Sequence, residues 1–374
     1  MQQQRAERVR REIIRLCHAG LDSRTLRTEI IKRLRQVIPI DASFFPTADP
    51  ATLLFTGAVI DEILERATPQ FLENEFLQND VNKFVGLARS TSPVGSLFQA
   101  RHQEMVQSPR YKEILAPLAL GDELRAALRT GGACWGFLCL HREQSSPPFT
   151  TAEAAFLGRL APHMALGLRK ALMLGSTAGS SIPDEPGVLL LADDLSVMAS
   201  TPAAERWLAE IAEADCPRQR AVPSAILAVV ARLLELEQGQ DAEVAPLPKV
   251  RLRTASGHWL VLHASRLSGP SQQSPIAVIF EVARPVEIAA LIVQAYALSK
   301  REGEIMQSVL RGHSTAEMAD TFHISSQTVQ DHLKAIFEKV GVSSRRELVG
   351  HLFAQQYQPR IMAGREVDAS GWFT

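Results

Sequence analysis

The amino-acid sequence predicts a multidomain chain, with two successive α+β segments followed by an all-α head of four short helices. Three observations carry this reading. Helix-start signatures crowd into residues 298–357. A Gly131-Gly132 turn separates an alternating strand from an apolar one. The stretch Gly175–Pro186 (GSTAGSSIPDEP) has linker composition and divides the strand-bearing part in two. A length of 374 residues fits two or three such domains.

The first segment, 1–175, opens on two amphipathic helices at 5–19 and 22–38. Val9, Ile13, Leu16 and Cys17 form one apolar stripe, and Leu26, Ile30, Leu34 and Val37 the next. Gly20 ends the first helix, and Asp22 or Ser23 caps the second. The first 35 residues carry ten Lys or Arg against four Asp or Glu, placed between the stripes, so they read as a charged solvent face. Strands follow at Ala42–Pro46 and Leu53–Thr56, then helix over 60–78. The Ser/Pro/Gly-rich stretch 79–110 has no clear period and is expected to wrap a cavity or cover a sheet. Asp122–Arg129 alternates, with Leu124, Ala126 and Leu128 on one face and Arg125 and Arg129 on the other. Thr130-Gly131-Gly132 turns the chain. Ala133–His141 (ACWGFLCLH) returns as a central strand, and residues 150–173 close the segment as a long helix striped by Phe156, Leu160, Met164 and Leu168.

The second segment, 184–285, reads strand (Gly187–Ala192), turn (Asp193-Asp194), strand (Ser196–Ala199), helices (Pro202–Ala212 and 222–238), then three strands. These are Val250–Thr254 and His258–Ala264 around Ala255-Ser256-Gly257, and Ile276–Val282 after the loop Ser268–Pro275. Residues 286–297 form a linker helix. Ile288, Leu291, Ile292 and Ala295 on it suit a dimer seam or a docking face. The tail 358–374 lacks periodicity and reads as flexible.

The head, 298–357, is four helices. The S-x-x-E capping box marks three starts: Ser299 with Glu302, Ser314 with Glu317, and Ser344 with Glu347. In that box the Ser oxygen takes an orphan backbone N–H while the Glu reaches back to the cap's own N–H. Ser325 or Ser326 caps the remaining helix without the box. Gly312 and Gly341 stand where left-handed stops are needed. The apolar faces are Ile305, Met306 and Val309; Met318, Ala319 and Phe322; Val329, Leu333, Ile336, Phe337 and Val340; and Leu348, Leu352 and Phe353. His323 occupies the tight turn Thr321–Ser325, and His tolerates the left-handed conformation better than most residues.

At these residues the chain resembles the LuxR-type (GerE/NarL-like) helix-turn-helix. The elements are L-S-x-R-E at Leu298–Glu302, G-x-S-x-x-E-x-A at Gly312–Ala319, I-S-x-x-T-V-x-x-H-L at Ile324–Leu333, K-V-G-V at Lys339–Val342, and S-R at Ser344–Arg345. The resemblance implies a third helix lying in the major groove and a fourth used for dimerisation. Where the family often has Lys or Arg after T-V, this chain has Gln330 and Asp331. With Val329 and Leu333 buried, Gln327, Gln330, Asp331 and Lys334 face outward as candidate base readers, since Gln pairs with adenine, Lys with guanine, and Asp accepts from cytosine. Asp331 also repels phosphate. Thr328, Lys339 and Arg345 are candidate phosphate contacts, which position without specifying. The bland alternative for each is a solvated helix face.

Upstream, DELRAALRTGGACWGFLCLHRE and PPFTTAEAAFLGRLAPH resemble GAF domains, often fused ahead of such heads. That resemblance implies a sensor, and many GAF domains bind small molecules between sheet and loops. Trp135, Phe137 and His141 share one strand face and are candidate ligand-binding residues, although aromatics in a central strand more often simply pack. The order of elements in 184–285 resembles a small PAS-like domain. Asp193-Asp194 resembles the acidic pair of a phospho-receiver, but later hairpins and the lack of an Asp closing a third strand exclude that fold.

Composition adds limits. Net charge is −1, and the head balances seven basic against seven acidic residues, so charge alone does not suggest DNA; a neutral head favours dimeric binding to gather phosphate contacts. Cys17, Cys134, Cys139 and Cys216 have no C-x-x-C spacing, and His18, His102, His141 and His163 offer no metal spacing, so neither metal nor cofactor is expected. The period of two puts Cys134 and Cys139 on opposite strand faces; all four thiols read as reduced and mostly buried. No apolar run reaches the ~18 residues of a membrane span, MQQQRAERVRRE is no signal peptide, and a cytoplasmic protein is expected. Phosphate loops, nucleophile elbows and paired His ligands are missing, so no enzyme is expected. The leading expectation is a transcription regulator binding double-stranded DNA as a homodimer, with a small-molecule ligand and RNA polymerase as further partners. Two alternatives are a sigma-like polymerase subunit and a ligand-binding protein whose head serves only assembly.

Overall fold

The computed structural model describes residues 2–99, 107–173, 186–215, 222–239, 247–268 and 274–350. Linker residues 175–185, His102, Cys216, loop residues 269–273, the fourth head helix beyond residue 350 and the tail 358–374 lie outside the described residues. The chain divides into two compact units. One comprises residues 1–175, 185–255 and 260–281; the other is 282–374 with the short pieces 176–184 and 256–259.

In the first unit, α1 (Gln2–His18) and α2 (Ser23–Leu34) form as expected. Gly20 adopts φ +70°, and Asp22 Oδ1 accepts from the N–H groups of Arg24 and Thr25 at 3.0 and 2.9 Å. An antiparallel sheet follows, of β1 (Ala42–Ala48), β2 (Phe55–Ile60), β3 (Val94–Ser96), β4 (Leu120–Thr130) and β5 (Ala133–Glu143), in the order β2-β1-β5-β4-β3. Both glycines of the β4–β5 turn have positive φ, +60° and +76°, a conformation glycine adopts without steric cost. Helix α6 (Thr151–Met173) packs on β4 and β5 and against α1 and α2. Between β2 and β3 lie three short helices: α3 (Glu62–Glu65), α4 (Thr68–Leu77) and α5 (Phe84–Arg89). The stretch 79–110 thus holds a helix and an edge strand that its composition concealed.

The hairpin has no solvent face. On one side Leu124, Ala126, Leu128, Leu138 and Leu140 are fully buried beneath helices. On the other side Arg125, Phe137, Cys139 and His141 are fully buried as well. A bulge between Leu128 and Arg129 interrupts the alternation, so Cys134, not Trp135, is the partner of Arg129. This corrects the simple period of two for the thiols: cross-strand partners share a face, so Cys134 lies on the side of Arg125 and Cys139. The basic N-terminus needs a correction too. Several of its arginines form surface ion pairs, but Arg27 is buried and donates to Phe45 O at 2.8 Å and Gly57 O at 3.3 Å.

The second sheet contains β6 (Gly187–Leu191), β7 (Val197–Ser200), β8 (Lys249–Arg253), β9 (Trp259–Arg266) and β10 (Ile276–Val282), ordered β7-β6-β10-β9-β8. This repeats the second-first-fifth-fourth-third order of the first sheet. Helices α7 (Pro202–Asp215) and α8 (Ser224–Glu237) fill the predicted gap. Every residue of α8 from Ser224 to Arg232 is buried, because it packs against α4 and β2 as well as β8. The two sheets are also tied by Asp49, whose carboxylate accepts from Arg251 Nε at 2.8 Å, its Nη2 at 2.6 Å and its backbone N–H at 3.0 Å.

The second unit begins with α9 (Pro285–Ala295), followed by α10 (Lys300–Leu310), α11 (Thr315–Phe322) and α12 (Ser326–Val340); residues 345–350 start a further helix. On α9, Ile288, Leu291 and Ala295 are already buried, which leaves no open dimer seam along them; the side chain of Ile292 lies outside the described residues.

Gly136 on β5 tests the packing of the first sheet. A Cβ there would stand 2.6 Å from Pro46 O and 2.8 Å from Leu168 Cδ1, so backbone would have to shift. Gly136→Ala is expected to cost about 1–3 kcal/mol and lower the urea midpoint of the sensor unit. Gly158→Ala, whose nearest neighbour is Val94 Cγ2 at 3.7 Å on a helix, should be neutral or stabilising. Equal midpoints for the two variants would refute this packing.

Candidate nucleic-acid interface and sensor interior

The head is assembled by local caps. Ser299 Oγ accepts from Glu302 N at 3.2 Å while Glu302 Oε2 accepts from Ser299 N at 2.6 Å, and Ser314 with Glu317 repeats both distances. At the third box Ser344 Oγ accepts from Glu347 N at 3.1 Å, and the Glu347 carboxylate reaches back to the N–H and hydroxyl of Ser343. Ser325, rather than Ser326, caps α12 by accepting from Thr328 N at 3.0 Å. Gly312 and Gly341 stop their helices at φ +86° and +79°. His323 makes the tight turn in the left-handed conformation, φ 53°, ψ 46°.

These caps fix which side of α12 is bare. Val329, Leu333, Ile336 and Val340 are buried, while Gln327, Gln330, Asp331 and Lys334 are exposed together on the opposite side. Gln327 Nε2 donates to Asp331 Oδ1 at 3.2 Å, so one amide and one carboxylate hold each other along the face. The three residues read as phosphate contacts each have an internal partner. Thr328 Oγ1 lies 2.8 Å from Ser325 Oγ, Arg345 donates to His313 O, and Lys339 Nζ donates to both oxygens of Glu302 at 2.8 and 2.6 Å.

The Lys339–Glu302 pair links the first cap of the head to the end of α12, a connection that spacing along the chain does not reveal. Burial pushes the Glu302 carboxyl up, but the Lys339 ammonium and the Ser299 N–H outweigh it and hold the group below its ordinary 4.5.

Inside the sensor, Phe137 stacks on Phe84 at 4.7 Å, and Phe44, Phe55, Phe71 and Phe76 complete an aromatic layer. Trp135 stands at the hairpin end, with Nε1 donating to Thr130 O at 3.4 Å. Charged groups lie in the same layer. Arg125 sits over the Phe84 ring at 4.3 Å and pairs with Glu75 at 2.7 Å and Glu123 at 3.0 Å; Arg110 pairs with Glu123 at 2.9 Å. Burial raises Glu123, but Arg110 and Arg125 more than offset it and bring it to about 2, whereas burial lowers His141 to about 4 and drives the Cys139 thiol well above its ordinary value. The cavity left between Phe44, Ile60, Leu64, Thr68 and Phe71 is about 10 Å³, roughly one water. Ligand-sized clefts lie elsewhere, on the two sides of the loop after β1. One, about 540 Å³, is bounded by Leu53, Glu75, Lys83 and Arg232, and another, about 580 Å³, by Arg129 and Cys134. Sequence reasoning missed all four: Glu123 and Arg125 stand in an alternating pattern that reads as a surface, and Glu75 and Arg110 stand in a helix and an aperiodic stretch whose partners lie 13 to 50 residues away.

Removing Lys339 should loosen the head. In Lys339→Gln, backbone amides of Ser299–Leu310 and Ser326–Val340 are expected to exchange with deuterium roughly fivefold faster, from a loss of about 1 kcal/mol for a partly exposed pair. Because the folded carboxyl is held below its unfolded value, this contribution is complete above pH 4.5 and is lost as pH falls below it. Exchange unchanged by the substitution at neutral pH would contradict the link.

Comparison with known proteins agrees with this division. Residues 296–352 match the family model for bacterial regulatory proteins of the luxR family, and residues 25–168 match the GAF domain. Spore germination protein GerE of Bacillus subtilis is 34% identical over 55 residues, which is 15% of this chain and 74% of GerE. Among solved structures, Escherichia coli SdiA is similar at 12% identity and a TM-score of 0.32, covering 92% of this chain and 96% of SdiA. The Vibrio VqmA–ligand–DNA complex is similar at 14% identity and a TM-score of 0.21, covering 47% and 84%. The chain belongs to the luxR family of bacterial regulatory proteins, as a DNA-binding regulator that carries a GAF sensor domain ahead of its helix-turn-helix.

Proposed function

We propose that the chain controls transcription by placing α12 in the major groove of a specific double-stranded site, with two chains on one pseudo-palindrome. The observation that carries this reading is the continuous exposed row Gln327, Gln330, Asp331 and Lys334 opposite a buried apolar side. Gln330 and Lys334 read base edges, Gln327 and Asp331 act as a braced pair, and Thr328, Lys339 and Arg345 approach phosphates at the margins. Using Lys339 or Arg345 for phosphate requires sharing or breaking an internal bond, so these two contribute less than free cations would. A head with no net charge has few phosphates to neutralise, which favours two heads about one helical turn apart. The sensor, 1–175, and the PAS-like segment, 184–285, regulate the head through the linker helix 286–297, and the DNA-binding domain is 298–357. The protein is not an enzyme, acts in the cytoplasm, binds a small signal molecule and meets RNA polymerase at its promoters. No helix among the described residues is long and apolar enough to cross a membrane.

The test is a gel shift on fragments selected from the genome by the full chain. Each bidentate base contact is worth about 1–3 kcal/mol, so Gln330→Ala with Lys334→Ala should weaken binding by roughly thirtyfold to ten-thousandfold while circular dichroism stays unchanged. Sedimentation should give two chains per site. Undiminished binding by a folded double variant would refute the base-reading assignment, and one chain per site would refute the dimer.

A further inference from the structure

The sensor interior brings together Glu123, Cys139 and His141, whose ligand-type atoms all lie within 4.8 Å of one another. Strand geometry makes the cluster. Cys139 and His141 are two apart on β5, so their side chains share a face, and Glu123 is the direct cross-strand partner of His141. Cys139 Sγ stands 3.1 Å from Glu123 Oε1 and 3.3 Å from His141 Nε2. All three residues are essentially inaccessible. A search for metal spacing along the chain does not see this set, because its third member arrives through hairpin register.

Two further observations point to a missing occupant. The first is His141. Buried polar groups are nearly always satisfied by nitrogen, oxygen or water, yet Nε2 faces the sulfur of a thiol whose own proton is directed at Glu123. The second is charge. Arg110 Nε donates to Oε2 of Glu123 at 2.9 Å and Arg125 Nε lies 3.0 Å from the same oxygen, which leaves Oε1 turned to Cys139. The ionic group around them contains Glu75, Asp80 and Glu123 with Arg110 and Arg125, and Lys83 lines the same cleft as Glu75 and Asp80. Ionising Cys139 adds a buried negative charge, which a divalent cation offsets.

We propose that Glu123 Oε1, Cys139 Sγ and His141 Nε2 bind a single divalent transition-metal ion of the zinc type in the sensor interior. Thiolate plus imidazole selects zinc or cobalt over magnesium or calcium. Metal–ligand bonds of about 2.0–2.3 Å in tetrahedral geometry set ligand atoms about 3.5 Å apart. The observed 3.1 and 3.3 Å separations need to open only slightly. On binding, the Cys139 proton leaves to solvent as the metal–sulfur bond forms. Three protein ligands leave a fourth position, the pattern of a metal that also receives an external ligand. Two residues that line the small cavity neighbour the set: Phe44 is the cross-strand partner of Cys139, and the Phe71 ring stands edge-on to His141 at 6.0 Å. This site stands independently of the DNA-binding reading.

The full chain, produced in cobalt-supplemented medium, should purify with one cobalt per chain and show thiolate-to-cobalt charge-transfer absorption. Cys139→Ser should abolish that band, whereas Cys17→Ser and Cys134→Ser, both elsewhere in the core, should keep it. X-ray absorption on the loaded natural chain should show one sulfur at about 2.3 Å with nitrogen and oxygen neighbours, an outcome that needs no variant to fold. A folded natural chain without bound cobalt or zinc, a band surviving Cys139→Ser, or a shell without sulfur would each overturn the proposal.

Discussion

The account rests on a sidedness constraint. Helix α12 has to bury Val329, Leu333, Ile336 and Val340 and, in doing so, leaves Gln327, Gln330, Asp331 and Lys334 bare. That orientation is over-determined. Ser325 fixes where the helix begins, Gly341 fixes where it ends, and Lys339 ties its last turn to the carboxylate that also closes the first cap of the head. A single hydrogen bond nets about 1 kcal/mol, so no one of these contacts decides the geometry. Their agreement does, since each permits only the rotation the others require.

The sensor applies the opposite strategy. Its central hairpin is buried on both sides, and one side is apolar while the other is a charged and aromatic layer. Buried ion pairs add little to stability compared with well-packed hydrophobic residues, yet removing one partner typically costs about 3–5 kcal/mol. Glu75, Asp80, Glu123, Arg110 and Arg125 therefore work as a unit that fixes geometry. Glu123 among them stands against Cys139, which in turn lies beside His141. The Asp49–Arg251 chelate extends the same logic between the two sheets of the first unit.

What could be read in the sequence follows from how local each signal is. The capping Ser–Glu pairs, the Gly stops, the left-handed His323 and the Gly131-Gly132 turn are decided within a few residues, and each appears in the structure where the sequence places it, the Ser344–Glu347 pair reaching to Ser343 as well. Both α+β segments were legible in element order, though not the identical strand order of their two sheets. The failures share a different cause. Arg27, Arg110 and Arg125 are charged residues whose burial depends on partners 13 to 50 positions away. The bulge at Trp135 shifts side chains by one place, which alternation cannot foresee. Lys339 looked free for phosphate because Glu302 lies 37 residues distant.

The central claim is that the bare side of α12 meets base edges, and cross-linking tests it most directly. A photoreactive side chain placed at position 330 in the full chain, bound to a DNA fragment it selects, should cross-link to bases in the major groove. The same group at exposed Lys32 on α2 should yield none. A chain that still binds the fragment but cross-links from position 32 and never from 330 would contradict the account.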